Sequence, residues 1–167
     1  LSASIAEVMN SKAHFAQGDA VRPQVLKESD LIISDLPVGY YPDDAVADRY
    51  EVASPEEHTY AHHLLIEQSL KYLKPGGYAI FLAPNDLLTS KQSHLFKKWL
   101  LSKAQLFAMI VLPETIFSSS QHAKTLFVLR KQEETDIQPF IYLLQDLQSQ
   151  NEILKFRESF QNWRKDS

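Results

Sequence analysis

The chain has 167 residues, 44% of them hydrophobic and 23% charged, which is typical of a single globular domain. Because it contains no cysteine, disulfide bonds and thiolate metal sites are excluded. The net charge of −4 argues against a protein that binds nucleic acid with its whole surface, although it allows a local basic cleft. No apolar run reaches the length of a membrane span and no signal peptide is visible, so we expect a cytoplasmic protein without a membrane partner.

The first predicted elements are a helix end and two short strands, and the second strand ends abruptly. Residues 1–10 have the pattern of a helix end, and residues 13–16 form a short candidate strand. Since the chain opens within a helical pattern, we expect further residues to precede it. The apolar run at residues 31–33 stops at Ser34-Asp35, as a buried parallel strand does at its carboxyl end, and predicts a strand at residues 31–34.

A helix is predicted next by the segment 54–57, Ser-Pro-Glu-Glu, in which the serine is the N-cap and the second glutamate completes a capping-box spacing. The apolar pattern continues this helix to residue 74, where Pro-Gly-Gly ends it. A strand is predicted at residues 78–83.

The remaining pattern predicts a helix at residues 91–102, strands at 106–112, 125–129 and 140–144, and a terminal amphipathic helix at 151–163. Helices alternate with strands through most of the chain, which is typical of a parallel α/β sheet. Loops rather than helices join the last strands, so we expect an antiparallel pair at one edge of the sheet.

The strongest candidate site is the loop at residues 35–42, which follows the strand at 31–34. In open α/β sheets, ligands bind beyond the carboxyl ends of the strands. Asp35 can accept hydrogen bonds from an amino group, Gly39 allows close backbone approach, and Tyr40 or Tyr41 can stack on a flat base. An ordinary strand-ending turn with half-buried tyrosines is an equally open interpretation.

Weaker candidates have plainer alternatives. Asp19 follows a glycine and either contacts a ligand amino group or closes a turn, and the turn is favoured. His58, His62 and His63 share one predicted helix, but no third metal ligand falls at a suitable position, so a solvated helix face is favoured and no metal is expected. Phe117, in the loop after the strand at 106–112, either walls a base pocket or anchors that loop.

Two charged segments also stand out. The first is a basic stripe that comprises Lys91, Lys97, Lys98 and Lys103. This stripe could contact phosphates, but the solvated face of an amphipathic helix is the favoured interpretation. Residues 43–57 carry six acidic residues against one arginine, and like charge beside a DNA-binding loop weakens binding.

The order of four segments resembles that of a known family. These segments are LIISDLPVGYYP, LKPGGYAIFLAP, MIVLPETIF and AKTLFVLRK, all within residues 18–131. Together they resemble the modification subunits of type I restriction systems and the related adenine-specific DNA methyltransferases. The resemblance implies a Rossmann-like fold that uses S-adenosylmethionine, flips an adenine out of the duplex and methylates its exocyclic amine. It also implies DNA and a specificity subunit as partners.

The resemblance assigns roles to particular residues. The family's catalytic tetrapeptide aligns with Asp35-Leu36-Pro37-Val38. The Asp35 side chain and the Leu36 carbonyl would hold the adenine amine, which promotes methyl transfer by orientation. Val38 replaces the aromatic residue that stacks on the flipped base, so Tyr40 or Tyr41 would stand in. Asp19 would contact the adenine ring of the cofactor.

The match covers only part of the family pattern. The glycine-rich cofactor loop, Gly-x-Gly, is absent, since the only glycines are at positions 18, 39, 76 and 77. We therefore interpret residues 1–145 as the second half of a methyltransferase catalytic domain and 146–167 as a C-terminal amphipathic helix. We expect this chain alone to bind no S-adenosylmethionine measurably. The alternatives are a catalytically silent module that binds DNA or a protein, and a methyltransferase acting on a protein amide or small molecule.

Overall fold

A computed structural model describes residues 16–23, 25–131 and 137–166. Its strands are β1 (Ser29–Asp35), β2 (Leu73–Pro84), β3 (Gln105–Val111), β4 (Lys124–Arg130) and β5 (Phe140–Leu143). Its α-helices are α1 (Asp44–Ala47), α2 (Ala61–Tyr72), α3 (Ser93–Lys103) and α4 (Gln150–Asp166). The predicted helix at 1–10 and all but the last residue of the predicted strand at 13–16 lie outside the described residues.

The five strands form one sheet in the order β1-β2-β4-β3-β5. β1 is parallel to β2 and β3 is parallel to β5, whereas β4 is antiparallel to both of its neighbours. These pairings confirm the predicted α/β sheet with antiparallel pairing, but the antiparallel strand β4 lies inside the sheet, between β2 and β3, and not at one edge as predicted. The carboxyl ends of β1, β2 and β3 and the amino end of β4 therefore lie along the same edge of the sheet, the one formed by strand ends.

Helices pack on both faces of the sheet. Neighbouring residues of β3 point to opposite faces, and Met109 joins the larger apolar cluster while Ile110 joins the smaller one. The larger cluster contains α2 and α3 residues packed on β2 and β4. The smaller cluster is closed by α4, whose Phe156, Phe160 and Trp163 contact the Phe140 ring. No helix in the described ranges is long and apolar enough to cross a membrane.

The predicted start of α2 is wrong. The helix begins at Ala61 rather than near Ser54, and side chains instead fasten the residues before it as a loop. The Ser54 amide donates to Thr59 Oγ1 at 2.9 Å, and the Val52 amide donates to the Glu67 carboxylate at 2.9 Å. Glu67 is fully buried and also pairs with Lys71 at 2.7 Å. Residues 51–59 therefore form a loop fastened to α2.

The Pro-Gly-Gly sequence forms a bulge in a strand rather than the end of a helix. α2 ends at Tyr72, and the register between β1 and β2 then jumps from Ser29–Leu73 to Leu31–Tyr78. Gly76 has a φ of 77°, which favours glycine. A Cβ at Gly77 would lie 2.8 Å from the Asp30 carbonyl oxygen, so only glycine fits there without displacing backbone.

The predicted solvated face of three histidines is also wrong. His58 lies before α2, whereas His62 is 4% exposed and His63 is fully buried within it. The His63 ring stacks on Phe96 with centroids 4.2 Å apart. Burial, with a smaller contribution from His62, lowers the pKa of His63 to about 3. His63 is therefore neutral in the folded protein throughout the neutral pH range.

We expect the free energy of unfolding to fall as the pH drops from about 6.5 towards 3, because unfolded His63 gains a proton there and folded His63 does not. The slope from this residue reaches about 1.4 kcal/mol per pH unit. His63→Phe should remove this part of the slope, whereas His94→Asn, at an exposed helix position, should retain it. Urea denaturation at several pH values checks this, and equal slopes in all three proteins would contradict it.

Candidate functional site

The edge of the sheet where β1 ends holds two oxygen acceptors of different mobility. The Leu36 amide donates to the Leu82 carbonyl at 2.9 Å, and the Leu36 side chain is fully buried. The Leu36 carbonyl is therefore fixed by the sheet and the core. The Asp35 side chain, in contrast, is 68% exposed. An immobile carbonyl thus stands beside a solvent-accessible carboxylate.

The loop at residues 36–42 is fastened to the segment that precedes α2. The Ala61 amide donates to the Gly39 carbonyl at 3.0 Å, and the Tyr41 amide donates to the Thr59 carbonyl at 2.8 Å. Gly39 has a φ of 114°, in the region that side chains disfavour. These bonds hold the loop against α2, so its side chains have defined positions at the edge of the sheet.

The structure separates the two tyrosines that the sequence left as alternatives. Tyr40 is 50% exposed, and its ring lies parallel to that of Tyr60 with centroids 4.9 Å apart. Tyr60 in turn stacks on buried His62, with centroids 5.0 Å apart. A hydrogen bond with Tyr40 and then burial raise the pKa of Tyr60 to about 12. Tyr40 is therefore a supported aromatic surface that solvent can reach, whereas Tyr41 is 7% exposed and points into the core.

Tyr41 is bound to Asp19, the predicted cofactor contact. The Tyr41 hydroxyl donates to one Asp19 carboxylate oxygen, and the Val21 amide donates to the other at 3.0 Å. Burial and then this bond raise the pKa of Tyr41 to about 12. Both Asp19 oxygens are thus engaged. The bond from the Val21 amide is the local turn role that the sequence favoured, whereas the bond from Tyr41 spans 22 positions.

The other predicted site residues lie at the same edge. Pro37 and Val38 are exposed, and Val38 retains 58% of its accessible surface. Phe117 is half-buried in the loop that follows β3. Because β1 and β3 are three strand positions apart in the sheet, their ends are separated by roughly 14 Å. Asp35, Leu36 and Tyr40 therefore share one loop, and Phe117 lies across the edge from them.

Lys124 is a site residue that the sequence interpretation did not identify. Its ammonium donates to the Asp35 carboxylate and, at 2.9 Å, to the Leu36 carbonyl. The signal that could have found it is the antiparallel direction of β4, which places the first residue of that strand at the same end of the sheet as the last residues of β1, with β2 between them. Lysine at that position then has two acceptors within reach.

Comparison with known proteins identifies the family. Residues 4–163 match the model of the N-6 DNA methylase family. The chain belongs to this family. It is 39% identical over 161 residues to the uncharacterised protein YtxK of Bacillus subtilis strain 168, an alignment that covers 95% of this chain and 49% of that protein.

Solved structures agree with this assignment. A candidate class I S-adenosylmethionine-dependent methyltransferase from Listeria monocytogenes superimposes with a TM-score of 0.82 and 33% identity, over 95% of this chain and 50% of that one. A modification subunit of a candidate type I restriction enzyme from Vibrio vulnificus YJ016 shares the fold, with a TM-score of 0.61 and 19% identity over 80% of this chain and 31% of that one. The chain thus spans about half the length of YtxK and of the Listeria monocytogenes protein.

The acidic segment at residues 43–57 is partly neutralised by basic side chains. Three acids in residues 43–57 have basic partners within 3.3 Å, namely Asp43 with Arg22, Asp44 with His58 and Glu51 with Lys103. The hydrogen bond with Asp44 raises the pKa of His58. The four lysines of the basic stripe are exposed, as predicted. Within the described ranges, no group of three or more histidine, aspartate and glutamate residues is placed to hold a metal ion.

We expect Tyr41→Phe to lower the free energy of unfolding by roughly 1–2 kcal/mol, because the part-buried Asp19 carboxylate loses a hydrogen bond. Tyr142→Phe is a matched control, since that hydroxyl bonds to the Glu152 carboxylate only at 3.4 Å. Its effect should stay below about 0.5 kcal/mol. Urea denaturation at neutral pH measures both, and equal losses in the two variants would refute the role given to Tyr41.

Proposed function

We propose that the protein, at its full natural length, methylates the exocyclic amine of adenine in DNA and takes the methyl group from S-adenosylmethionine. Membership of the N-6 DNA methylase family supports this reaction. One geometric observation supports assigning this reaction to particular residues. The Asp35 carboxylate and the Leu36 carbonyl both lie within hydrogen-bonding distance of a single nitrogen, that of the Lys124 ammonium.

The chemistry of the target explains why this pair of acceptors suits it. The exocyclic amine of adenine carries two N–H groups. A carboxylate can accept a hydrogen bond from one of them while an adjacent carbonyl accepts a hydrogen bond from the other. Bound in this way, the amine has a fixed orientation, and its nitrogen can be aligned with the methyl carbon that S-adenosylmethionine supplies when bound. The contribution of Asp35 and Leu36 is orientation, which alone can lower a barrier by several kcal/mol.

Tyr40 is proposed as the surface on which the flipped base stacks. Val38 has no ring, whereas Tyr40 is half exposed and rigidly supported by Tyr60. Stacking of a base on an aromatic side chain contributes about 1–3 kcal/mol. Phe117, on the loop after β3, is proposed as a more distant wall of the same pocket.

The described residues do not by themselves form a site for S-adenosylmethionine. Among the described residues, the Val21 amide and the Tyr41 hydroxyl each donate to one Asp19 oxygen, and Arg22 Nε lies 3.6 Å from the oxygen that Tyr41 contacts, so few acceptor positions remain for a cofactor. The sequence contains no Gly-x-Gly loop. Asp19 is therefore proposed to make at most one contact with the adenine end of the cofactor.

DNA and a specificity subunit are the proposed partners, because the Vibrio vulnificus relative is a modification subunit of a type I restriction enzyme. A second candidate function is a catalytically silent module that binds DNA or a protein. Val38 in the place of an aromatic residue favours it, as does the ammonium that already occupies both acceptors. Methyl transfer distinguishes the two functions.

Asp35→Ala, made in the protein at its full natural length, should lower methyl transfer at least about 100-fold, because the target amine loses one of its two acceptors. The assay follows tritium from S-adenosylmethionine into DNA. Asp30→Ala is the matched control, since Asp30 is an exposed acid on the same strand that pairs with Lys74 at 3.0 Å. The control should stay within about twofold of the unaltered protein, and full activity of Asp35→Ala would refute the assignment.

Tyr40→Ala should lower kcat/KM for DNA methylation roughly 10- to 100-fold, the range that corresponds to a lost stacking contact. Tyr40→Phe keeps the ring and should remain within about threefold of the unaltered protein. Steady-state kinetics on the two variants test this. If both lose activity equally, the hydroxyl rather than the ring is the important group and the stacking role is wrong.

A further inference from the structure

Lys124 is the first residue of β4 and lies opposite Pro84, the last residue of β2. This register brings its side chain to the edge of the sheet where β1 ends. The Lys124 side chain is only 15% exposed, although lysine is rarely buried without a partner. Its position therefore requires an explanation in terms of what its ammonium contacts.

The ammonium connects a fixed oxygen to a movable one. Its 2.9 Å bond to the Leu36 carbonyl attaches it to backbone that the sheet and the core hold in place. Its other bond goes to the Asp35 carboxylate, which is 68% exposed at the end of the strand. In the part of the chain that the structure describes, the Asp35 side chain receives hydrogen bonds from Lys124 alone. Without Lys124, the carboxylate could rotate away from the carbonyl.

We propose that Lys124 is a positioning residue of the methyl-transfer site, which clamps the Asp35 carboxylate beside the Leu36 carbonyl so that their remaining lone pairs receive the two N–H groups of the target amine. A carboxylate offers about four acceptor positions and a carbonyl offers two, so the clamp and the amine can share them. This inference rests on the proposed function, because it assigns Lys124 to the reaction proposed for Asp35. Lys124 contributes by orienting Asp35.

Lys131 is a matched control for a purely structural lysine. It follows the other end of β4, and its ammonium donates to the Leu73 carbonyl at 2.6 Å and to the Lys71 carbonyl at 3.4 Å. Both lysines thus join two parts of the fold through backbone carbonyls, but only Lys124 also contacts the Asp35 carboxylate. Lys131→Met should affect stability without affecting methyl transfer.

The first experiment is a kinetic cycle on the protein at its full natural length. Lys124→Met should lower kcat about 10- to 100-fold and leave KM for DNA within threefold, while Lys131→Met stays within threefold in both. Lys124→Arg should recover activity to within about fivefold, because its guanidinium can bridge both acceptors. Thermal unfolding of each variant shows whether it folds.

If Lys124 had only a structural role, the effect of Lys124→Met on kcat would not depend on whether residue 35 is aspartate. In an Asp35→Asn background, Lys124→Met should cost less than threefold, because the carboxylate that it positions is gone. Equal losses in both backgrounds would overturn the inference. A raised KM with a weaker salt dependence would also overturn it, since Lys124 would then be a phosphate contact. Faster turnover of Lys124→Met would overturn it by showing that the ammonium competes with the amine.

A binding experiment separates this inference from the proposed function. Saturation-transfer NMR with deoxyadenosine and with deoxyinosine, which lacks the exocyclic amine, measures recognition of the amine without any methyl transfer. A preference for deoxyadenosine that Lys124→Met removes would support the inference even if the protein methylates no DNA. A preference that survives Lys124→Met, or no preference in the unaltered protein, would overturn it, whereas methylation by the unaltered protein would still support the proposed function.

Discussion

The hydrogen bond from the Leu36 amide to the Leu82 carbonyl is the constraint on which the site depends. It carries the pairing of β1 with β2 one residue beyond the strand, so the Leu36 backbone cannot move without breaking the ladder. The fully buried Leu36 side chain adds a second restraint. Lys124 bonds to the carbonyl fixed in this way, and Asp35 is held in turn through Lys124. The polar half of the site therefore takes its geometry from the sheet.

The aromatic half of the site takes its geometry from α2. Tyr40 stacks on Tyr60, and Tyr60 stacks on His62, which is buried in the helix. Bonds from residues 59–61 hold the backbone of the same loop. Two rigid elements thus support one loop, the sheet at its first residues and the helix at its later ones. A site whose proposed chemistry is orientation requires this kind of double support.

The sequence pattern predicted those elements that contacts between residues close in the sequence determine, and it missed those that depend on distant residues. The apolar run before Asp35 located β1 and the loop after it, but the predicted burial of this strand is wrong, because Leu31 and Ile33 are exposed. The residues before Ala61 were mispredicted as helix; they form a loop that Glu67 fastens through the Val52 amide, 15 residues away, which no capping pattern reveals. Lys124 was missed because its acceptors are 88 and 89 positions away in the sequence. Tyr40 and Tyr41 could be told apart only after the loop was seen to attach to α2.

The charge of Asp35 explains why a lysine belongs beside it. An aspartate at this position brings a full negative charge to a site proposed to face DNA phosphates. An uncompensated carboxylate there repels the substrate, and an ammonium in contact with it offsets that repulsion. The same reasoning applies to residues 43–57, where three acids pair with basic side chains. Local compensation of this kind reconciles an acidic surface with a polyanionic substrate, so the negative net charge of the chain does not require another class of substrate.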